Sequence, residues 1–152
     1  MTSDQTMSLQ LVCPACTALN RVPAAKLGDG PNCGKCRKPL ASGAPVVASD
    51  GNFARFIERS DLPVVVDFWA TWCGPCVQFA PVFSATAGDM ATRAVFLKLD
   101  TEANPQTSAR FQIRSIPTLM VFHRGKELGR LSGALPPQQF RQWLDQHLPT
   151  IA

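Results

Sequence analysis

Residues 62–76 read LPVVVDFWATWCGPC. The first nine residues form an apolar, β-rich run of the length expected for a strand buried on both faces. A single charge, Asp67, interrupts it. A carboxylate in such a place must be paired, hydrated or neutral. Buried, its pKa rises and it fits a proton acceptor for a nearby thiol. At a strand edge it would only face water. After Ala70 the run ends, and Cys73-Gly74-Pro75-Cys76 opens a helix expected to reach about Met90, with a kink at Pro81. Cys73 then falls at the helix N-terminus, where unpaired N–H groups and the helix dipole favour an anion. That lowers a thiol's pKa and makes it a nucleophile at neutral pH. Cys76, one turn further in, is expected to be more buried and to act as the resolving thiol. Pro75 lies near the first helical positions, where its missing N–H costs little.

Outward from this stretch, helix and strand alternate. Ser49 or Asp50 is expected to cap a helix through about Arg59 with Phe53, Phe56 and Ile57 on one face. Residues 94–100, AVFLKLD, read as a second strand. Asn104-Pro105 supplies an N-cap and a first-turn proline for a short helix. Residues 118–123 and 127–132 flank Arg124-Gly125-Lys126 as a hairpin. A last helix starts at Pro136-Pro137, with Phe140, Trp143, Leu144 and Leu148 as its apolar face. The order is βαβ, then a hairpin and a closing helix. It predicts an α/β fold with a mixed central sheet and helices on both faces.

The same Cys-x-x-Cys spacing occurs twice more, at Cys13/Cys16 and Cys33/Cys36. Two such pairs separated by a sixteen-residue gap have zinc-ribbon spacing. A two-residue gap lets both sulfurs of a pair turn to one point, and a hairpin-like fold brings two pairs into a tetrahedral set. Cys13, Cys16, Cys33 and Cys36 are therefore the expected ligands of one structural Zn²⁺. A module this short buries too little surface to fold unaided, so metal binding would supply folding energy. The Pro/Gly-rich stretch 39–45, PLASGAP, divides a module at 1–45 from a domain at 46–152. His123 and His147 are the only histidines and lie outside the pattern.

Composition narrows the function. Hydrophobic residues make up 45% of the 152 and charged residues 17%, as in a globular chain rather than a disordered one. No apolar run approaches the ~20 residues of a membrane span. The start, MTSDQTMSLQLVCPAC, has an acidic residue and no basic n-region, so no signal peptide is expected. A cytoplasmic location follows as the expectation, where thiols stay reduced. The net charge is +4, of which residues 1–45 carry +3. Four thiolates and a Zn²⁺ would bring that segment down to about +1. Nucleic acid is therefore not the expected partner.

VVVDFWATWCGPC resembles the active-site segment of thioredoxins. The similarity continues through KLDTEANP, IRSIPT, RGKE and SGAL, and covers about residues 46–149. The double Cys-x-x-Cys before it resembles the bacterial thioredoxin subfamily that carries a zinc module. The resemblance implies a thioredoxin fold preceded by a zinc-ribbon-like module. It also implies a protein-disulfide reductase with Cys73 as nucleophile, Cys76 as resolving thiol and Asp67 as proton acceptor, with Lys98 the charged neighbour of Asp67. Trp72, Gly74, Pro75, Ile116, Pro117 and Gly133 would form the substrate surface, Pro117 following a cis bond. Trp69 would support the loop's conformation. The implied partners are disulfide-containing proteins and thioredoxin reductase, an NADPH-dependent flavoprotein. The implied state is a monomer with no organic cofactor. Thr71 and Val77-Gln78 depart modestly from the common pattern. An oxidant or isomerase on the same fold, or a zinc-dependent binding module using it as scaffold, are the competing readings. Gly74-Pro75 between the cysteines argues against the first, and the intact dithiol with Asp67 against the second.

Overall fold

Val64–Trp69 form β4, the middle strand of a five-stranded sheet. The computed structural model describes residues 7–150. Along them run β1 (Ser8–Val12), β2 (Leu19–Pro23), a 3-10 helix (Ala24–Asp29), β3 (Val46–Val47) and α1 (Phe53–Arg59). After β4 come α2 (Gly74–Asp89), β5 (Val95–Asp100), α3 (Pro105–Arg110), β6 (Thr118–His123), β7 (Lys126–Ser132) and α4 (Pro137–His147). β4 pairs parallel to β5 and antiparallel to β6, and β6 pairs antiparallel to β7. The mixed sheet predicted from the element order is the one formed.

The strand period explains why 62–70 is apolar on both faces apart from Asp67. Val64, Val66 and Phe68 enter a layer with Phe53, Phe56 and Ile57 of α1 and Phe122 of β6. Val65 faces the other way, against Phe79 and Phe83 of α2 and Phe140 and Leu144 of α4. With successive side chains on opposite faces, Asp67 and Trp69 share the face of Val65. α2 contains Pro81 and continues to Asp89. The proline leaves the Val77 carbonyl without its intrahelical donor but does not end the helix.

Three local expectations change. A two-residue strand, β3, pairs with β5 ahead of α1; two residues are too few to show a period. Ser49 and Asp50 do not cap α1, whose N-cap residue is Asn52 and makes no side-chain capping bond. Asn104 stands at the N-cap of α3 but does not cap it either. Its Oδ1 accepts the Asp50 N–H at 2.9 Å. In exchange, Asp50 Oδ1 accepts from Thr107 N at 2.8 Å and Thr107 Oγ1 at 2.7 Å, and Oδ2 accepts from Gln106 N at 3.3 Å. The helix is thus capped from a residue 57 positions away.

Burial opposes ionisation of Asp50, but the Thr107 and Gln106 donors outweigh it and hold its pKa below the ordinary value. The stabilisation they give is present above the unfolded-state pKa and disappears as pH falls through the folded one. Asp50→Ala should therefore lower stability at pH 7. Urea titrations at two pH values check this. The deficit should shrink in acid.

At the hairpin, Arg124 and Gly125 both have positive φ, 52° and 83°. This is the two-residue turn that matches strand twist, and Lys126 already belongs to β7.

The N-terminal module packs on the lower end of the sheet, before β4. β1 and β2 pair antiparallel, Ser8 opposite Pro23 and Val12 opposite Leu19. Leu9, Leu11, Val22, Leu27 and Leu40 form a small core with Cys13, Cys33 and the domain's own Leu62. Val12 joins the layer beneath α1 instead. Gln10 and Asp61 exchange backbone and carboxylate bonds: Gln10 N to Asp61 Oδ2 at 2.7 Å, and Asp61 N to Gln10 O at 2.8 Å. Arg55 Nε of α1 donates to Thr17 O at 2.7 Å. Leu62 and Asp61 precede β4, whereas Cys73 follows it. The module therefore sits toward the end of the strand away from the dithiol.

Candidate functional site

The end of β4 feeds directly into the Cys73–Cys76 turn. Cys73 is the N-cap of α2, in extended conformation, and Pro75 occupies the first turn. Cys73 N donates to Ala70 O at 3.2 Å, and Cys73 O accepts from Val77 N at 3.1 Å. Its sulfur accepts the Cys76 N–H at 3.2 Å, one of the donors a helix start leaves free. The two cysteines are joined as a disulfide, with Cα atoms 5.2 Å apart. Cys73 is 5% exposed and Cys76 1%. Both pack with Ala70, Trp69 and Ile116.

Asp67 lies on β4 and is fully buried. Neither carboxylate oxygen has a hydrogen-bond partner. Desolvation is the dominant effect and pushes its pKa up to about 7, against the opposing attraction of Lys98. The edge-strand reading of Asp67 is therefore excluded. Lys98 is its register partner on β5. The Lys98 ammonium sits 4.4 Å from the centroid of the Trp69 ring, a cation–π contact on the same face. Among the described residues it forms no salt bridge with Asp67. Its influence on the carboxylate is Coulombic rather than a hydrogen bond, which leaves Asp67 free to gain and lose a proton.

The rim is apolar. The Ile116–Pro117 bond is cis, and Ile116 O lies 3.8 Å from Cys73 Sγ. Pro117 O accepts from Gly133 N at 2.8 Å. Gly133 has φ of 123°, a conformation that favours glycine. Gly74 and Pro75 are exposed. Trp72 is 68% exposed and Val77 53%, large apolar groups left in water beside Cys73. Sequence reasoning missed Glu102. Its Oε1 accepts from Trp72 Nε1 at 2.8 Å, in a loop turned by Asp100 Oδ1, which accepts from Glu102 N at 2.9 Å. Such a contact, 30 residues apart, has no sequence signature.

The other four cysteines converge elsewhere. The sulfurs of Cys13, Cys16, Cys33 and Cys36 all lie within 4.8 Å of one another. Cys13–Cys36 and Cys16–Cys33 are 3.6 Å apart. A tetrahedral zinc with bonds of about 2.3 Å requires sulfur separations of about 3.8 Å. The donor set therefore fits zinc. The two pairs are built alike. The Cys13 sulfur accepts from Ala15 N and Cys16 N, and the Cys33 sulfur from Lys35 N and Cys36 N. Each turn closes on a left-handed residue, Thr17 at φ 63° and Arg37 at φ 70°. Cys36 N and then the Asn20 amide bring the Cys33 thiol down to about 6, whereas at Cys16 the Ala18 backbone contact is outweighed by burial and the three neighbouring cysteines, which push that thiol up to about 11. His123 and His147 lie apart from this group: His123 Nε2 is 3.0 Å from Asp61 O, and His147 Nδ1 is 2.8 Å from Trp143 O.

A disulfide-joined cysteine pair at a strand-to-helix junction, with Ile116 O facing its first sulfur, is the arrangement of a thiol–disulfide oxidoreductase. Comparison with known proteins agrees. The thioredoxin family model matches residues 44–146. The model described as "Thioredoxin 2, N-terminal", a zinc ribbon, matches residues 12–38. Thioredoxin C-3 of Corynebacterium nephridii is 49% identical over 138 residues, which are 91% of this chain and 94% of that one. Thioredoxin 2 of Chlorobaculum tepidum is 42% identical over 107 residues, 70% of this chain and 98% of the relative. Thioredoxin of Staphylococcus haemolyticus is 45% identical over 105 residues, 69% and 99% respectively. The chain belongs to the thioredoxin family. It is a dithiol protein-disulfide reductase with a zinc-ribbon module ahead of the redox domain.

Proposed function

We propose that Cys73 attacks, Cys76 resolves and Asp67 moves the proton between steps. The supporting observation is the placement of Cys73 Sγ at the N-terminus of α2, where it accepts the Cys76 N–H and faces Ile116 O. In the reduced protein the Cys73 thiolate attacks one sulfur of a substrate disulfide. A mixed disulfide forms, and the substrate's other sulfur leaves as a thiolate. Asp67 takes the Cys76 proton; a carboxyl titrating near 7 is half-ionised at neutral pH and suited to that exchange. Cys76 then attacks Cys73 Sγ, the bond to substrate breaks, and the Cys73–Cys76 disulfide remains. Trp72, Val77, Ile116, Pro117 and Gly133 form the docking surface, with Gly74 and Pro75 exposed between the thiols. The Ile116 backbone pairs with the extended substrate segment.

Two electrons from an NADPH-dependent flavoprotein, thioredoxin reductase, return the site to the dithiol. The substrates are disulfide-bearing proteins of the cytoplasm, and the protein acts as a monomer. No helix among the described residues is long and apolar enough to cross a membrane. The test is reconstitution. NADPH, thioredoxin reductase and insulin should give sustained NADPH oxidation that depends on this protein. Failure to accept electrons from any such reductase would reject the reductive cycle.

Residues 1–45 form the metal module and 46–152 the redox domain in this reading. Cys13, Cys16, Cys33 and Cys36 hold one Zn²⁺, which supplies cross-linking and charge neutralisation. The fit of the sulfur separations supports it. Structural zinc contributes roughly 10–16 kcal/mol of apparent binding free energy in small modules. Removing it with a chelator under reducing conditions should abolish amide protection across residues 12–38. Protection in β4 and β6 should persist. Unchanged exchange in 12–38 after complete metal loss would reject a structural role.

A further inference from the structure

The two metal-binding turns share the same backbone bonds but not the same side-chain partners. Cys13 N donates to Ala18 O at 2.9 Å, and Cys33 N to Lys38 O at 2.8 Å. Cys13 O accepts from Thr17 N at 2.9 Å, and Cys33 O from Arg37 N at 3.0 Å. Only the second turn receives Asn20. Asn20 Oδ1 accepts from Gly34 N at 2.9 Å. Its Nδ2 donates to Ala18 O at 3.2 Å and to Cys33 Sγ at 3.5 Å. This orientation is self-consistent. Gly34 N can only donate, so the amide oxygen must face it and the amide nitrogen must face the carbonyl and the sulfur.

The first turn is held by the β1–β2 hairpin, in which Asn20 stands opposite Leu11. The second turn sits on its own small loop, closed by the Asn32–Pro39 bridge and the Leu40 N to Pro31 O bond at 3.0 Å. Among the described residues, and apart from sulfur–sulfur contacts, the hydrogen bonds joining this second loop to the first turn and its hairpin run through Asn20.

We propose that Asn20 is the positioning residue of the metal centre: it fixes the second turn against the first and donates to the Cys33 sulfur, and so sets how slowly the metal leaves. This rests on the zinc reading of the four cysteines. Four thiolates around Zn²⁺ leave the centre at −2, and an N–H aimed at a sulfur disperses part of that charge. Withdrawing the amide removes the side-chain N–H from the Cys33 sulfur and the acceptor from Gly34 N, and so loosens the second turn from the first. Outer-shell partners of this kind typically change metal affinity by about 10–100-fold. The amide does both jobs at once, because its oxygen holds Gly34 while its nitrogen serves Cys33.

Asn20→Asp separates the two jobs. The carboxylate keeps an acceptor for Gly34 N but sets an anion against the Cys33 sulfur. Asn20→Ala removes both. The experiment uses the full-length, zinc-loaded protein under reducing conditions. It follows zinc transfer to the colorimetric chelator 4-(2-pyridylazo)resorcinol at neutral pH. Release should be faster by about tenfold or more in both variants, with Asn20→Asp at least as fast as Asn20→Ala. In the cobalt-loaded proteins the sulfur-to-cobalt charge-transfer band should move to lower energy, a change that a purely mechanical clamp would not produce. Insulin reduction by each variant checks that the redox domain is intact.

Wild-type release kinetics and an unmoved cobalt band in Asn20→Asp would overturn the proposal. If the wild-type protein binds no zinc at all, the metal reading itself fails, a result distinct from the first. Where a variant does not accumulate as folded protein, the wild-type chain gives the answer. Metal removal should release the Gly34 and Asn20 side-chain amide protons to exchange together, and protection retained without metal would overturn the link.

Discussion

Insulin disulfides should remain unreduced by a Cys73→Ser chain, at the background rate of buffer alone. The expectation follows from where the sulfur sits. Cys73 Sγ occupies the N-cap of α2 and accepts the Cys76 N–H, so the negative charge of a thiolate is met by a donor and by the helix dipole. A serine hydroxyl in the same place is not ionised at neutral pH and forms no disulfide with substrate. Binding through Trp72 and Ile116 is left without chemistry to follow it. Cys76→Ser should behave differently. Its Cys73 remains able to attack, but nothing resolves the product, so a mixed disulfide with substrate accumulates and is visible by mass. Equal trapping by both variants would remove the assigned order of attack. Normal turnover by Cys73→Ser would remove the mechanism.

Asp67→Asn should make the protein markedly more stable at pH 8 and slower in resolving the mixed disulfide. Burial raises the Asp67 pKa from the ordinary carboxylate value to about 7. A carboxyl with a raised folded-state pKa adds no penalty below its unfolded-state pKa of about 4, where both states are neutral. The penalty grows as pH rises and is complete above 7, where the folded protein must hold an unpartnered buried charge. The difference is on the order of 4 kcal/mol. Denaturant titrations should show wild-type stability falling from about pH 4 to pH 7 and levelling off above that, while that of Asp67→Asn stays level. In the same variant the Cys76 proton has no acceptor. Turnover should drop at neutral pH and recover partly as rising pH ionises Cys76 unaided. A wild-type stability flat over that range would show that Asp67 is not a buried carboxyl titrating near 7.

The sequence discloses those parts of this molecule that rest on local rules. The apolar run 62–70, the proline-containing helix start at the cysteines, the hairpin around Arg124-Gly125 and the amphipathic last helix each carry a period or a turn residue. All of them appear as elements. Asp67 stood out because a charge in a doubly buried strand breaks the pattern. The partnerships that finish the structure did not stand out. Asp50 caps α3 from 57 residues away, Glu102 holds Trp72, and Asn20 joins the two metal turns. Each is one polar residue among others on a loop or short strand, and its partner is fixed only by tertiary register. The position of Lys98 shows the same limit. Its register opposite Asp67 follows from the parallel pairing of β4 and β5, but the choice of the Trp69 ring as its neighbour depends on packing that no linear pattern encodes.

Two cysteine chemistries on one chain, kept apart by the length of a strand, form the central claim. Leu62 at the foot of β4 belongs to the core of the module, and Cys73 lies beyond the strand's other end. Native mass spectrometry of the full-length protein before and after reduction by NADPH and thioredoxin reductase tests this most directly, with fragmentation to locate the change. One zinc ion should be bound in both forms, with a gain of two hydrogens confined to the segment holding Cys73 and Cys76. Zinc lost when the dithiol is oxidised, or a mass change located in residues 13–36, would contradict it.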